Sequence, residues 1–262
     1  MDLQLSGKVA AITGASKGIG LAITKALVTE GVLVGAGARE TSTELDELAA
    51  GGSVTIIEGD LTTSAGSTQL IDRTVETFGR LNILVNNIGG VRPRLQGFLQ
   101  VSDKDFLWSL NINYLAAVRT TRAALPHLLR NAPSSIVTIS SLNASLPDPG
   151  VIDYSAAKAA LSNFCKSLSK EVGPQGVRVN TISPGPVKTA LWLGTDGVAA
   201  TIGRANGVAP ETVATQAVAG AATGRFTRPE EVADLVVMLA SPNAGNITGT
   251  NVIIDGGLTS TL

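Results

Sequence analysis

The segment YSAAK places Tyr154 and Lys158 four residues apart. In a helix, residues at this spacing share a face, so the Lys158 ammonium would lie beside the Tyr154 hydroxyl. A nearby positive charge favours the phenolate and lowers the tyrosine pKa from its usual value of about 10. Such a tyrosine can exchange a proton with a substrate oxygen at neutral pH. The pair alone is weak evidence, because both residue types are common in helices, and other elements must position it.

A glycine-rich segment, TGASKGIG over residues 13–20, follows the first apolar run of the chain. Glycine permits tight turns and lets a ligand approach the backbone closely. The helix predicted after this segment would offer its N-terminal amides and the positive end of its dipole to a pyrophosphate. The spacing is GxxxGxG rather than the GxGxxG of other dinucleotide-binding turns. Its place between a strand and a helix still favours a nucleotide site.

Short apolar runs alternate with helix-length segments along the chain. Continuous apolar runs are typical of parallel strands that are buried on both faces. The repeated strand–helix units predict an α/β fold, namely one doubly wound domain over residues 1–262 with a parallel sheet and helices on both faces. Seven strands are predicted, at Val9–Thr13, Val32–Ala38, Val54–Asp60, Ile83–Asn87, Ile136–Ser140, Val177–Ile182 and Asn251–Ile254.

Residues 189–226 interrupt this alternation, because they are rich in Gly, Ala and Thr and have weak periodicity. Long insertions of this kind are often lids or binding loops, so we predict a substrate lid inserted in the domain. The alternative is a surface excursion without a role in binding.

Composition argues against several classes of function. The formal net charge of −1 gives no electrostatic case for nucleic acid or an anionic membrane as a partner. A single cysteine excludes an internal disulfide and a cysteine-rich metal site, and no metal is expected. The sequence lacks the features of a signal peptide and any apolar run near the roughly 20 residues of a membrane span. We therefore expect a cytoplasmic protein.

Five short motifs occur in a fixed order along the chain: TGASKGIG, then NNIG at 86–89, Ser140-Ser141, YSAAK, and SPG at 183–185. In this order they resemble the short-chain dehydrogenase/reductase family, in its compact subtype that includes 3-oxoacyl-(acyl carrier protein) reductase-like members. The resemblance covers nearly the whole chain. It implies a seven-stranded Rossmann-type sheet, NAD or NADP as the cofactor, and interconversion of alcohols and carbonyls.

The resemblance also implies roles for individual residues. Tyr154 matches the family's catalytic acid/base, and Lys158 matches the lysine that lowers its pKa and holds the nicotinamide ribose. Ser141, thirteen residues before Tyr154, matches the serine that holds the substrate oxygen. Asn113 matches an asparagine that supports a water relay to the lysine, with Asn111 as a nearby alternative that fits the spacing less well.

The resemblance implies a long set of cofactor contacts, and one position suggests which cofactor is used. NAD-dependent members usually have an aspartate at the end of the second strand, where this chain has Ala38. Arg39 follows and could pair with the 2′-phosphate of NADP, and Lys17 adds a second positive charge, so NADP is expected. The implied cofactor-binding residues are Gly14, Ser16, Lys17, Gly18, Ile19, Gly20, Arg39, Asp60, Leu61, Asn87, Gly89, Tyr154, Lys158, Pro184, Gly185, Val187 and Thr189.

Several residues near these motifs have more ordinary interpretations. His127 is expected to be a surface or capping histidine, and Cys165 a packed thiol. Arg92 and Arg94 could read an acidic group on a substrate, although exposed arginines are the more common case. A fairly hydrophobic carbonyl is suggested if the pocket is lined by Leu142, Leu146, Val151, Leu191 and Trp192.

The sequence therefore predicts an NADP-dependent oxidoreductase that acts on a small carbonyl or secondary alcohol, with Tyr154 as the acid/base. One alternative is an NAD-linked alcohol dehydrogenase. Another is a non-catalytic dinucleotide-sensing protein, because a fold does not fix a function. The resemblance also implies a homotetramer formed through segments 113–129, 154–170 and 252–257, where small residues would let helices approach closely.

Overall fold

The computed structural model describes residues 2–260 and contains one sheet of seven parallel strands. The strands are β1 (Val9–Thr13), β2 (Leu33–Ala38), β3 (Val54–Glu58), β4 (Ile83–Asn86), β5 (Ser134–Ile139), β6 (Val177–Pro184) and β7 (Asn251–Ile254). Their order across the sheet is β3-β2-β1-β4-β5-β6-β7. The doubly wound α/β fold and the seven-stranded parallel sheet are therefore confirmed.

Strands β1 and β7 have the predicted bounds, and the other five differ by one or two residues at one or both ends. Strand β5 begins at Ser134 rather than Ile136, because buried hydrogen bonds satisfy two serines that a hydropathy pattern reads as polar. The Ser134 hydroxyl donates to the Leu128 carbonyl at 2.9 Å, and that of Ser135 to the Leu239 carbonyl at 3.1 Å.

Helices cover both faces of the sheet and bury a separate apolar cluster on each. They are α1 (Gly18–Thr29), α2 (Thr43–Ala50), α3 (Ser64–Phe78), α4 (Asp103–Leu110), α5 (Ala116–Arg130), α6 (Ile152–Val172), α7 (Ala190–Leu193), α8 (Val198–Asn206), α9 (Pro210–Val218) and α10 (Pro229–Ala240). Along β1, Ala10 and Ile12 pack with α1 and α10, whereas Val9 and Ala11 pack with α3, α5 and α6. This alternation follows from the two-residue period of a strand.

Segment 189–226 folds into the three short helices α7, α8 and α9, although its sequence periodicity is weak. It leaves the sheet after β6, and its two ends are held together by a bridge between Val187 and Thr227. None of the helices that the structure describes is long and apolar enough to cross a membrane.

Candidate active site

The motifs meet at one edge of the sheet, because the carboxyl ends of parallel strands point the same way. TGASKGIG leaves β1, NNIG leaves β4, the serine pair ends β5, and SPG ends β6. From β1 the chain proceeds toward one edge of the sheet, through β2 and β3. From β4 it proceeds toward the other edge, through β5, β6 and β7, so the direction reverses between β1 and β4. Ligands of doubly wound sheets bind in the crevice at such a reversal.

The glycine-rich loop is fixed by backbone geometry that glycine alone accommodates. Gly14 has a φ of +71°, in the region that disfavours residues with a Cβ. A Cβ at Gly20 would overlap the Gly14 carbonyl, so the first turn of α1 lies directly against the loop. Lys17 precedes α1 and makes no side-chain cap to it, and the first turn carries no acidic residue. The N-terminus of α1 therefore suits a phosphate group.

Asn87 and Thr13 tie the glycine-rich loop to the end of β4. The Asn87 amide donates to the carbonyls of Thr13 and Gly14, at 3.0 and 3.1 Å. In return, the Thr13 hydroxyl accepts from the backbone of Asn87 at 2.9 Å and of Ile88 at 3.1 Å. Asn87 thus shapes the loop through its side chain. Thr13 was not among the predicted site residues, although a threonine directly before the first glycine could have been the signal.

Ser141 lies in the turn after β5, and Tyr154 and Lys158 lie on helix α6, which faces that turn. The three side chains therefore meet beside the end of β5. The Ser141 hydroxyl accepts from the Asn143 backbone N–H at 3.2 Å and lies close enough to the Tyr154 hydroxyl to lower the pKa of Tyr154. The Lys158 ammonium donates to the Ile139 carbonyl at 2.9 Å and lies 5.8 Å from the centre of the Tyr154 ring. The second serine, Ser140, bonds locally to Ser162 at 2.6 Å, although it also lies on the wall of the same cavity.

The spacing of Tyr154 and Lys158 predicts a lowered pKa for Tyr154, and this prediction is wrong, because the pKa is raised. Burial raises the tyrosine pKa, and the nearby Ser141 hydroxyl offsets this increase only in part. Burial also lowers the pKa of Lys158 from 10.5 to about 8. Spacing alone predicts the attraction between the two groups, but desolvation opposes charge on both of them. The phenol is therefore protonated at neutral pH.

Asn113 lies in a single π-helical turn, Asn111–Leu115, between α4 and α5. Wider turns of this kind often occur at functional sites. The Asn113 amide bonds the backbone of Gly90 in both directions, accepting from its N–H at 3.0 Å and donating to its carbonyl at 2.8 Å. Asn111 instead accepts from Arg119 at 2.6 Å. The structure therefore places Asn113, and not Asn111, against the segment after β4.

A Cβ at Gly89 would lie 2.9 Å from the Asn113 amide oxygen and 3.4 Å from the Lys158 ammonium. Glycine at this position leaves open the space between these two side chains. A methyl group at Gly18 would lie 3.3 Å from the Thr189 side chain, so the start of segment 189–226 contacts the glycine-rich loop. Together with the free N-terminus of α1, these spaces fit a dinucleotide laid across the edge of the sheet.

A cavity of about 560 Å³ opens at this edge. It brings together the hydroxyls of Ser141 and Tyr154 with Lys158, and all five apolar residues named from the sequence line it. Of the predicted cofactor residues, those that line it are Ile19, Asn87, Gly89, Tyr154, Lys158, Pro184, Gly185, Val187 and Thr189.

The other predicted cofactor residues lie outside the cavity, at or just after the ends of β1, β2 and β3: Gly14, Ser16, Lys17, Gly18, Gly20, Arg39, Asp60 and Leu61. Arg39 is exposed after the buried Ala38 and is close enough to Asp60 to help lower the pKa of that carboxyl, which is set mainly by a hydrogen bond from Thr62. The Leu61 side chain belongs to the apolar core, and its carbonyl accepts from the Ser67 hydroxyl at 3.3 Å.

Arg94 is neither exposed nor placed to read a substrate, which corrects both interpretations of this residue. Its guanidinium forms a two-bond contact with Asp153, at 2.6 and 3.1 Å, and a third bond with Asp105 at 2.9 Å. Arg92 stacks over the Trp108 ring at 3.8 Å. Sequence reasoning missed the Arg94–Asp153 pair, because its partners lie 59 residues apart.

His127 and Cys165 have the ordinary roles expected of them. The His127 ring lies 2.9 Å from the Arg130 guanidinium near the end of α5. Cys165 is buried, and burial raises its pKa to about 11, so the thiol is protonated at neutral pH. Among residues 2–260 there is no cluster of three or more metal-ligating side chains.

The model of a protein family described as "Enoyl-(Acyl carrier protein) reductase" matches residues 14–259. The chain belongs to the short-chain dehydrogenase/reductase family. This short-chain dehydrogenase/reductase is 35% identical to the oxidoreductase UcpA of Salmonella typhimurium, over 98% of this chain and 96% of that protein. It is 32% identical to the 3-oxoacyl-[acyl-carrier-protein] reductase FabG of Thermotoga maritima, over 98% and 99% of the two chains.

A solved structure of L-sorbose reductase from Gluconobacter frateurii, in complex with NADPH and L-sorbose, superposes with a TM-score of 0.91. It is 32% identical, and the match covers the whole of both chains. The family and its Rossmann-like fold, predicted from five motifs, are thus confirmed, and the protein is an oxidoreductase of the short-chain dehydrogenase/reductase family.

Proposed function

We propose that this short-chain dehydrogenase/reductase transfers a hydride between NADP(H) and an apolar carbonyl or secondary alcohol, with Tyr154 as the acid/base. The observation that carries the proposal is the pair of neighbouring hydroxyls, Ser141 and Tyr154, on the wall of a mostly apolar cavity. The cavity opens beside the glycine-rich loop, so a substrate oxygen and a nicotinamide can meet there.

The arrangement suits carbonyl reduction. A carbonyl oxygen gains negative charge as hydride reaches its carbon, and donors that are already in place stabilise that charge. Ser141 and Tyr154 are two such donors. Because burial raises the pKa of Tyr154, the phenol keeps its proton until the oxygen can accept it. A bound nicotinamide would supply the hydride itself.

The end of β2 favours NADP over NAD as the cofactor. Ala38 offers no carboxylate to the ribose 2′-hydroxyl, and the exposed Arg39 offers a planar cation at the next position. Lys17 is exposed at the start of α1. Two exposed cations at the same edge of the sheet provide charge for a 2′-phosphate. The NADPH complex of L-sorbose reductase supports the same choice.

The cavity walls favour an apolar substrate. Away from the catalytic hydroxyls they are mostly apolar side chains, including Leu142, Leu146, Leu191, Trp192 and Ile202. Among residues 2–260, Lys158 is the one cation that lines the cavity, and its ammonium donates to the Ile139 carbonyl, so a carboxylate or phosphate elsewhere on the substrate would lack a charged partner. Each buried sugar hydroxyl without a hydrogen bond would cost about 1–3 kcal/mol. L-Sorbose is thus a poor model for the substrate of this chain.

The test is NADPH oxidation by the purified protein with a matched panel of aryl–alkyl ketones, linear ketones, and the sugars L-sorbose and glucose. We expect turnover of the ketones, weak or no turnover of the sugars, and a preference for NADPH over NADH. A strong preference for L-sorbose would contradict the apolar substrate, and a preference for NADH would leave the NAD-linked alternative.

Tyr154→Phe is the control variant, because it keeps the packing of the ring and removes the ionisable oxygen. We expect turnover to fall by roughly 10²-fold or more, while NADPH binding, measured by fluorescence titration, stays close to wild type. A protein that binds NADPH but turns over none of the panel would favour the dinucleotide-sensing alternative. Full activity in Tyr154→Phe would remove Tyr154 from the acid/base role.

The proposal includes two further elements, a substrate lid at 189–226 and a homotetramer. The lid is supported by Leu191, Trp192, Val198 and Ile202, which line the cavity from the segment. Self-association is supported by apolar residues exposed on two sides of the chain, including Leu107 and Ile253. Each has its test in the Discussion.

A further inference from the structure

Arg94 is the centre of a charge network that lies behind the wall of the cavity. Its side chain is 12% exposed, and that of Asp153 is 1% exposed. Both oxygens of Asp153 accept from the guanidinium, and within residues 2–260 the Asp153 side chain makes no hydrogen bond to any other residue. The pair is therefore a buried, two-bond contact, the strongest geometry between these groups.

The network joins three elements that surround the catalytic tyrosine. Arg94 belongs to the segment after β4, whose neighbours Val91, Pro93 and Leu95 line the cavity. Its guanidinium binds the first turn of α6 through Asp153, and its backbone N–H donates to the Gly150 carbonyl at 2.6 Å, just before α6. Its third bond, to Asp105, reaches the first turn of α4.

Asp153 directly precedes Tyr154, so whatever holds Asp153 also holds the backbone of the catalytic residue. The start of α6 has no side-chain cap at Val151, and the Asp153 carboxylate is taken by Arg94 instead of capping the helix. The Asp148 N–H also donates to the Ser155 hydroxyl, at 3.4 Å, so the salt bridge is the strongest of the contacts that fix this turn relative to the cavity wall. Arg94 does not line the cavity and thus acts only through its partners.

We propose that Arg94 is a positioning residue, which sets the distance between Tyr154 and the opposite wall of the cavity by holding Asp153. This inference rests on the proposed reductase function. A buried ion pair is an inefficient way to gain stability, because desolvation of both charges offsets most of their attraction. Its geometric effect is larger, because a misplacement of about 1 Å near a reacting centre can lower turnover by roughly 10²-fold.

The two carboxylates bound to Arg94 provide a matched pair of variants. Asp153→Asn weakens the contact to the helix of Tyr154, and Asp105→Asn weakens the contact to α4, which carries no catalytic group. We expect Asp153→Asn to lower kcat for a ketone by about tenfold or more, with an unchanged Kd for NADPH. Asp105→Asn should keep kcat within about twofold of wild type.

Hydrogen–deuterium exchange provides a readout that needs no turnover. Exchange in the peptide covering residues 150–158 should become faster in Asp153→Asn and stay unchanged in Asp105→Asn. Arg94→Lys keeps the charge but loses the two-bond contact, so its kcat should lie between wild type and Asp153→Asn. Arg94→Lys therefore still tests the proposal if Asp153→Asn does not fold. Arg73→Met, which breaks the exposed Arg73–Glu76 pair, is the control for loss of an ion pair.

The proposal is overturned if both aspartate variants lower kcat equally, or if Arg94→Lys retains full kcat and wild-type exchange at 150–158. In either case the network is a structural brace. If the wild-type protein turns over no carbonyl, the proposed function fails. The exchange data then still decide whether Arg94 holds the first turn of α6.

Discussion

Lys158 is buried, and no carboxylate among residues 2–260 pairs with it, which has a measurable effect on stability. Below pH 8 the lysine is protonated in both the folded and the unfolded chain, so the full cost of its burial is present. The shift of its pKa from 10.5 to about 8 corresponds to roughly 3 kcal/mol. Between these two values the unfolded chain binds one proton more, so stability rises with pH.

We therefore predict that Lys158→Met raises the free energy of unfolding at pH 7 while it abolishes turnover. The gain should be roughly 2 kcal/mol, since loss of the bond to the Ile139 carbonyl offsets about 1 kcal/mol. The gain should shrink as the pH rises from 8 to 10.5, because wild type loses its penalty over that range. Urea unfolding at pH 7, 9 and 10.5 measures this, and a variant less stable than wild type at pH 7 contradicts it.

Arg39 is the residue on which the proposed cofactor preference depends most. We predict that Arg39→Asp shifts the preference from NADP toward NAD, because it removes a cation for the 2′-phosphate and adds an acceptor for the 2′-hydroxyl. The change should fall mainly on the KM of each cofactor. The ratio of kcat/KM for NADPH and NADH measures it, with Arg80→Asp, which lies far from the end of β2, as the control. An unchanged ratio would show that Ala38 and Arg39 do not select the cofactor.

At the scale of secondary-structure elements, the sheet could be predicted because each strand is a continuous apolar run. Strand ends were less predictable, because they depend on partners that a sequence does not display. Strand β6 extends to Pro184 because that residue pairs with Ile254, about 70 residues further along the chain. The helices of segment 189–226 were missed because their periodicity is weak and their conformation depends on packing over the cavity.

The candidate site was predictable where fixed motifs carry it, as with Ser141, Tyr154 and Lys158, which the fold brings together. Two of its features depend on burial and long-range contact, and these were not predictable. Burial raises the pKa of Tyr154, whereas spacing suggested a lowered value. Arg94 pairs with Asp153 only because α6 packs against the segment after β4.

The proposed lid is tested through α7. Trp192 lines the cavity and packs edge-to-face against Phe226, with ring centres 5.7 Å apart, so it joins both ends of segment 189–226. We predict that Trp192→Ala raises the KM for an apolar ketone by about tenfold, through loss of buried contact area, with little change in NADPH affinity. Leu193→Ala is the matched control, because Leu193 is on the same helix and does not line the cavity. Equal effects of the two variants would argue against a role in substrate binding.

At the scale of the whole molecule, exposed apolar residues support the proposed homotetramer. Leu107 is 65% exposed and Ile253 on the edge strand β7 is 43% exposed. On α6, Ala156 is exposed and Ala159 and Ala160 are partly exposed, whereas Ala157 is fully buried in the core. Ala157, which falls in segment 154–170 of the predicted interface, therefore cannot take part in a contact between chains.

We predict a tetramer by light scattering at micromolar concentration. Ile253→Arg should reduce it to a dimer, because a charge on an edge strand opposes contact between sheets of two chains. Thr68→Arg, which places the same charge on the exposed face of α3, should leave the tetramer intact. A wild-type protein that is monomeric at this concentration would contradict the prediction.

The Arg94 network limits how this scaffold can be altered by evolution or by engineering. Segments 142–151 and 191–202 line the cavity and contain no predicted cofactor-binding residue, so they can be exchanged to change the substrate range while the predicted nucleotide contacts stay in place. The segment after β4 is different, because Arg94 connects it to the helices of Tyr154 and Asp105. A graft of this loop succeeds only if Arg94 and Asp153 are inherited together.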